Sequence, residues 1–117
     1  MKLIVAIIRP EKLDDVQRAL AERDVYLMTV TDVRGCGRQR GYTEVYRGTE
    51  VTVRLIPKLK LEIAVNEPFV EAAVEAIVHA GRTGDTGAVG DGKIFVLPLE
   101  DCVRIRTGER GAEAIGP

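Results

Sequence analysis

The chain has no serine, a single histidine and only two cysteines in 117 residues. Without serine there is no serine nucleophile. His79 falls beside the apolar stripe of a helical pattern and reads as a surface or packing residue, not a general base. Carboxylates are plentiful but scattered over helix faces, so paired acid–base work is not indicated. Cys36 and Cys102 are too few and too far apart for a disulfide framework or a metal-ligand spacing, and read as reduced thiols of a cytosolic protein. Aromatics make up 4%, with only Tyr26 and Phe95 near strand patterns, which leaves little on which to stack RNA bases. The net charge of -1 lacks the basic excess of a general nucleic-acid binder. The apolar run near the start, Leu3 to Ile8, is stopped by Arg9-Pro10 and is too short for a secretory or membrane-spanning segment. The expectation is a cytoplasmic protein with no membrane insertion.

What is present suits one globular domain over residues 1–117: 45% hydrophobic and 30% charged residues, enough to bury a core without staples. Leu3 to Ile8 predicts a strand, and Pro10 opens a helix with Leu13, Val16, Ala19 and Leu20 on one face. Tyr26 to Val33 resumes a strand pattern rich in Thr and Val. The plan then repeats. Leu59 to Val65 predicts a strand, and Pro68 starts a helix with Val70, Val74, Ile77 and Val78 as its apolar face. An offset of 58 sets Pro10 on Pro68, Val5 on Ile63 and Val16 on Val74. Lys93 to Leu97 and a short extra strand, Cys102 to Ile105, complete the list. The fold class is α+β, a ferredoxin-like βαββαβ plan with both helices on one face of an antiparallel sheet. Strands apolar on both faces favour a closed homo-oligomer.

Most connections in compact domains have about 4–6 residues. The one from about Gly37 to Val53 is far longer and carries Arg38, Arg40, Glu44, Arg47 and Glu50. A charged arm on a rigid scaffold suits partner recognition. The alternation of Val51, Val53 and Leu55 also allows an extended hairpin. A second loop reads Thr86-Gly87-Ala88-Val89-Gly90-Asp91-Gly92-Lys93. Glycines let successive amides point into one concavity that binds anions, and lysine adds a point charge. It is not the P-loop pattern. Arg104 and Arg106 fall on one side of an extended segment, as do Lys58 and Lys60. Two arginines near such a nest suit a triphosphate.

The segments Gly35-Cys36-Gly37-Arg38-Gln39, Thr43 to Gly48, Pro57 to Glu62, Thr86 to Val96 and Arg104 to Glu109 follow one another along the chain. In this order, and over nearly the whole chain, they resemble the nitrogen regulatory PII signal-transduction family. The resemblance implies a homotrimer that binds ATP or ADP competitively between subunits. With Mg-ATP it implies 2-oxoglutarate as effector. It places Thr29, Cys36, Gly37, Arg38 and Ala64 at the nucleotide. Thr86, Gly87, Gly90, Asp91, Gly92 and Lys93 lie around its phosphates and adenine, with Arg104 and Arg106 reaching from across the cleft. It gives Gln39 to Mg, and Arg9, Gln39 and Lys58 to 2-oxoglutarate. The long connection, about 37–55, becomes the T-loop that docks on an ammonium channel or an enzyme of nitrogen assimilation, with Arg47 at the partner contact. The nucleotide-binding loop spans about 82–93 and a C-terminal loop about 102–117. A regulator follows, not an enzyme. The alternatives are a small phosphate-ester enzyme of the same fold and a sensor of another small anion outside nitrogen metabolism.

The chain departs from the family pattern at four places. Val51 stands where the modified tyrosine usually sits, which rules out uridylylation or adenylylation there. Cys36 replaces a residue that is often aromatic, and Arg54 one that is often acidic. A second Thr-Gly step, after Arg82-Thr83-Gly84-Asp85, lengthens the nucleotide loop by about three residues.

Overall fold

The computed structural model describes residues 1–36, the backbone of 43–46 and 49–52, and residues 55–116. Four antiparallel strands form the main sheet: β1 (Lys2–Ile8), β2 (Thr29–Gly35), β5 (Ile56–Val65) and β6 (Gly92–Pro98). Their order is β2-β5-β1-β6. β5 inserts between β1 and β2, as the split βαβ plan requires. Between β2 and β5, β3 (Thr43–Tyr46) and β4 (Thr49–Thr52) pair as a separate hairpin. A hairpin thus lies within the long connection, but of the alternating residues it holds only Val51: Leu55 stands outside a strand and Val53 outside the described residues.

Alternation along β1 sorts its side chains. Ile4, Ala6 and Ile8 are buried, and so are their β5 partners Ile63, Leu61 and Leu59. Helices α1 (Leu13–Ala21) and α2 (Val70–Gly81) cover that face, adding Val16, Leu20, Ala73 and Ile77 to the core. Each fully buried aliphatic side chain contributes about 1.5–3 kcal/mol. Pro10 and Pro68 sit in single 3₁₀ turns that lead into the two helices, where a missing N–H costs nothing.

The opposite sheet face carries Leu3, Val5 and Ile7, with Phe95 and Leu97 beside them on β6 and Ala64 on β5. Phe95 is 50% and Leu97 42% exposed. Along β1 and β6 that face is largely apolar, while β5 adds Lys60 and Glu62 and β2 adds Thr29 and Thr31; among the described residues no helix covers it.

Several expectations are corrected. β2 begins at Thr29, not Tyr26, because Tyr26 and Leu27 lie exposed in the link after α1. β5 begins three residues before Leu59. On α2, Val78 is exposed, and Ala73 and Ala76 take the buried positions. The offset of 58 aligns the prolines but not the strands, since Ile63 faces the helices and Val5 faces away. The extra strand at Cys102–Ile105 shrinks to one bridge, Val103 with Arg110, and Ile105 to Thr107 turn. Asp101 closes that turn, accepting two hydrogen bonds from Arg110 (2.9 and 2.7 Å) and one from the Cys102 amide. A short helix, α3 (Ala112–Ile115), follows. Asn66 Nδ2 ties it down by donating to the carbonyls of Ala112 and Gly116.

Candidate functional site

α2 stops at Gly81, and residues 82–91 return the chain to β6. One carboxylate organises this loop. Asp91 Oδ1 accepts from Thr83 Oγ1 at 2.6 Å and from Arg9 Nε at 2.9 Å. Its Oδ2 accepts from the backbone N–H of Thr83 at 3.0 Å and of Ala88 at 2.8 Å. Burial works against the charge. The hydrogen bonds from Thr83, Ala88 and Arg9 nevertheless hold the carboxyl well below the usual carboxylate range. Arg9 also donates from Nη2 to the Val89 carbonyl at 3.0 Å. Lys58, which is buried, donates to the Gly90 carbonyl at 2.5 Å. Burial lowers its pKa, as does the Arg9 charge, while Glu11 and Asp91 oppose.

Glycine is obligatory where this loop meets the sheet. Gly92 has φ +112°, and a Cβ there would overlap the Ile7 carbonyl oxygen outright. The loop can approach β1 that closely only without a side chain.

In front of the loop a cleft of about 900 Å³ opens, walled by Val33, Cys36, Ile56, Lys58, Lys93 and Phe95 together with residues 88–92. The amides of Val89 and Gly90 make no hydrogen bond among the described residues. Lys93 is exposed and has no ion pair among them. Unbonded amides and a lysine ammonium beside an apolar wall suit an anion carried on a flat apolar body.

The structure thus brings together Cys36, Lys58, Gly90, Asp91, Gly92 and Lys93, with Arg9 bonded in behind them. Gly87 packs against Asp91 and Arg82, and Thr86 is exposed in the same loop. Thr29 pairs with Glu62, and Ala64 with Leu3, on the sheet face away from the helices; neither lines the cleft. Arg104 is not there either. It bonds Glu109 at 2.8 Å and the carbonyls of Glu113 and Ala114. That segment is tied to Asn66, next to the end of β1 where Lys2 pairs with Val65; Lys93 pairs with Ile7 at the other end. Along the strand the two ends stand about 20 Å apart. Arg106 belongs to the turn and does not share a strand face with Arg104. Gly37, Arg38, Gln39, Arg47 and Arg54 lie outside the described residues, as does the side chain of Val51. Sequence reasoning missed Thr83. The repeated Thr-Gly was its only signal, and it did not say which copy would be used.

The family model for "Nitrogen regulatory protein P-II" matches residues 1–109, from β1 through the Arg104 turn. The chain belongs to the P-II nitrogen regulatory protein family. Among P-II relatives, a "Nitrogen regulatory protein P-II" of Rhizobium etli is 53% identical over 98% of this chain and 100% of its own length. "Nitrogen regulatory protein GlnK1" of Methanosarcina mazei is 53% identical over 98% of this chain and 97% of its own. "Nitrogen regulatory protein P-II 2" of Methanothermobacter thermautotrophicus is 54% identical over the same shares. P-II proteins are regulators by description, and the α+β fold with its four-stranded antiparallel sheet agrees with membership. Among the described residues, no helix is long and apolar enough to cross a membrane.

Proposed function

We propose that this P-II protein is a cytoplasmic sensor that binds ATP or ADP in the cleft and relays the occupant to a nitrogen-related partner. The observation that carries the reading is the cradle itself: unbonded amides at Val89 and Gly90 beside Lys93, set against an apolar wall. Phosphates fit such a cradle, and the wall suits an adenine ring. One protomer is incomplete, because Arg104 and Arg106 stand at the far end of the sheet. Three copies packed through the uncovered sheet face, with Leu3, Val5 and Phe95 inside, bring a neighbour's arginines to each cleft.

Gln39 serves Mg with ATP, and 2-oxoglutarate joins the complex near Lys58. The ligand then biases the arm at 37–55, whose base runs on from β2 and Cys36, toward or away from an ammonium channel or an assimilation enzyme. Arg47 makes the partner contact. Calorimetric titration with ATP, ADP and 2-oxoglutarate tests the scheme. Micromolar nucleotide binding is expected, with 2-oxoglutarate binding only alongside Mg-ATP. No nucleotide binding below millimolar concentration defeats it.

A further inference from the structure

We infer that Thr83 is a positioning residue for this anion site: acting through Asp91 and Arg9, it aims the loop amides at the phosphates. This rests on the nucleotide-binding reading, since an aimed amide needs an anion to receive it.

The chain of contacts is short. A trans peptide is planar, so its C=O and N–H point in opposite directions. The Val89 carbonyl is drawn to Arg9 Nη2 at 3.0 Å. The N–H of the same peptide unit, that of Gly90, must therefore point away from Arg9, and it has no bond among the described residues. Lys58 holds the next carbonyl, that of Gly90. Arg9 keeps its grip on Val89 because its Nε is fixed on Asp91. Asp91 in turn is fixed chiefly by Thr83, which alone contacts both carboxylate oxygens: its hydroxyl on Oδ1 and its N–H on Oδ2. Without the hydroxyl, Oδ1 keeps only Arg9, and the carboxylate loses one of the bonds that prevent it from turning.

Thr83 is exposed, so its hydroxyl is not filling a core position. The other Thr-Gly step does not duplicate the role, since the Thr86 side chain makes no hydrogen bond among the described residues. The lengthened loop thus wraps its first threonine around the carboxylate and leaves the second outside. Thr83 touches no ligand in this scheme; it acts on the amides through two intervening side chains.

The test titrates the full chain with ADP and with Mg-ATP, comparing wild type, Thr83→Val, Thr83→Ser and Asp91→Asn, with melting curves on the same samples. Thr83→Val removes the hydroxyl at equal volume and is expected to weaken both nucleotides roughly ten-fold. Thr83→Ser restores the hydroxyl and is expected within about two-fold of wild type. Asp91→Asn is expected to weaken binding at least as much as Thr83→Val. If Asp91→Asn fails to fold, the two Thr83 variants decide alone. A wild type that binds while Thr83→Val matches it, or while Thr83→Ser is as weak as Thr83→Val, overturns the positioning role and leaves the nucleotide site standing. A wild type that binds neither nucleotide below millimolar concentration overturns both.

Discussion

At the scale of single residues, the close contact of Gly92 with the Ile7 carbonyl sets the hardest constraint in the site. Gly92→Ala is expected to cost more than about 2 kcal/mol, since strain at positive φ is joined by a backbone clash. Gly84 has φ +62°, but a methyl group there would meet nothing within 4 Å, so Gly84→Ala is expected to cost only about 1 kcal/mol. Thermal denaturation separates them, and equal losses would show that the close approach is immaterial. Asp91 supplies a pH test. Its folded carboxyl titrates below its unfolded value, so its stabilisation is complete at neutral pH and is lost as acid protonates the folded group. Stability of the wild type is expected to fall below about pH 4 more steeply than that of Asp91→Asn. Parallel acid curves would dismiss the carboxylate as the loop's hub. None of this was legible in the sequence. Glycine and lysine spacing marked an anion loop, but a carboxylate turned inward and a threonine that grips it leave no periodic trace.

At the scale of elements, strand and helix periodicity was the legible part. The continuous apolar run Leu3–Ile8 located β1, the segment Leu59–Val65 located most of β5, and the prolines located both helix starts. The errors came where apolar residues are exposed. Tyr26 and Leu27 extended β2 too far back, and Val78 stood in for the smaller Ala73 and Ala76. Ile63→Ala on β5 is expected to cost about 2–5 kcal/mol, whereas Val78→Ala on α2 is expected to cost about 0.5 kcal/mol or less. Urea titration checks both, and a large loss at Val78 would put it back in the core. The C-terminal turn was misread because Val103 and Ile105 look like strand residues, while an aspartate–arginine clasp makes the chain reverse. The Arg110 hydrogen bonds, followed by the Cys102 amide, hold the Asp101 carboxyl below its ordinary range. The Gly111 amide also donates to Asp101, at 3.2 Å, so the Cys102 and Gly111 amide resonances are expected to titrate together with a midpoint below the ordinary aspartate value, and a midpoint at or above that value excludes the clasp.

At the scale of the whole molecule, the proposed assembly sets a neighbouring copy against both the sheet face without a helix cover and the distant arginines. Val5→Glu is expected to shift the solution mass from three chains toward one, read by light scattering, and to abolish nucleotide binding with it. An unchanged mass would place the interface elsewhere. Apolar strands on both faces had already suggested an assembly from sequence. The separation of Arg104 from Lys93 could not be read there, because only the fold shows that they occupy opposite ends of β1. That separation has a genetic consequence. In the proposed ring, a lesion at Arg104 harms the adjoining subunit's reader and spares its own, whereas a lesion at Lys93 does the reverse. Two individually inactive alleles, co-expressed, would then restore one cleft in every hybrid ring, and only the Arg104 lesion would cost a normal neighbour its reader.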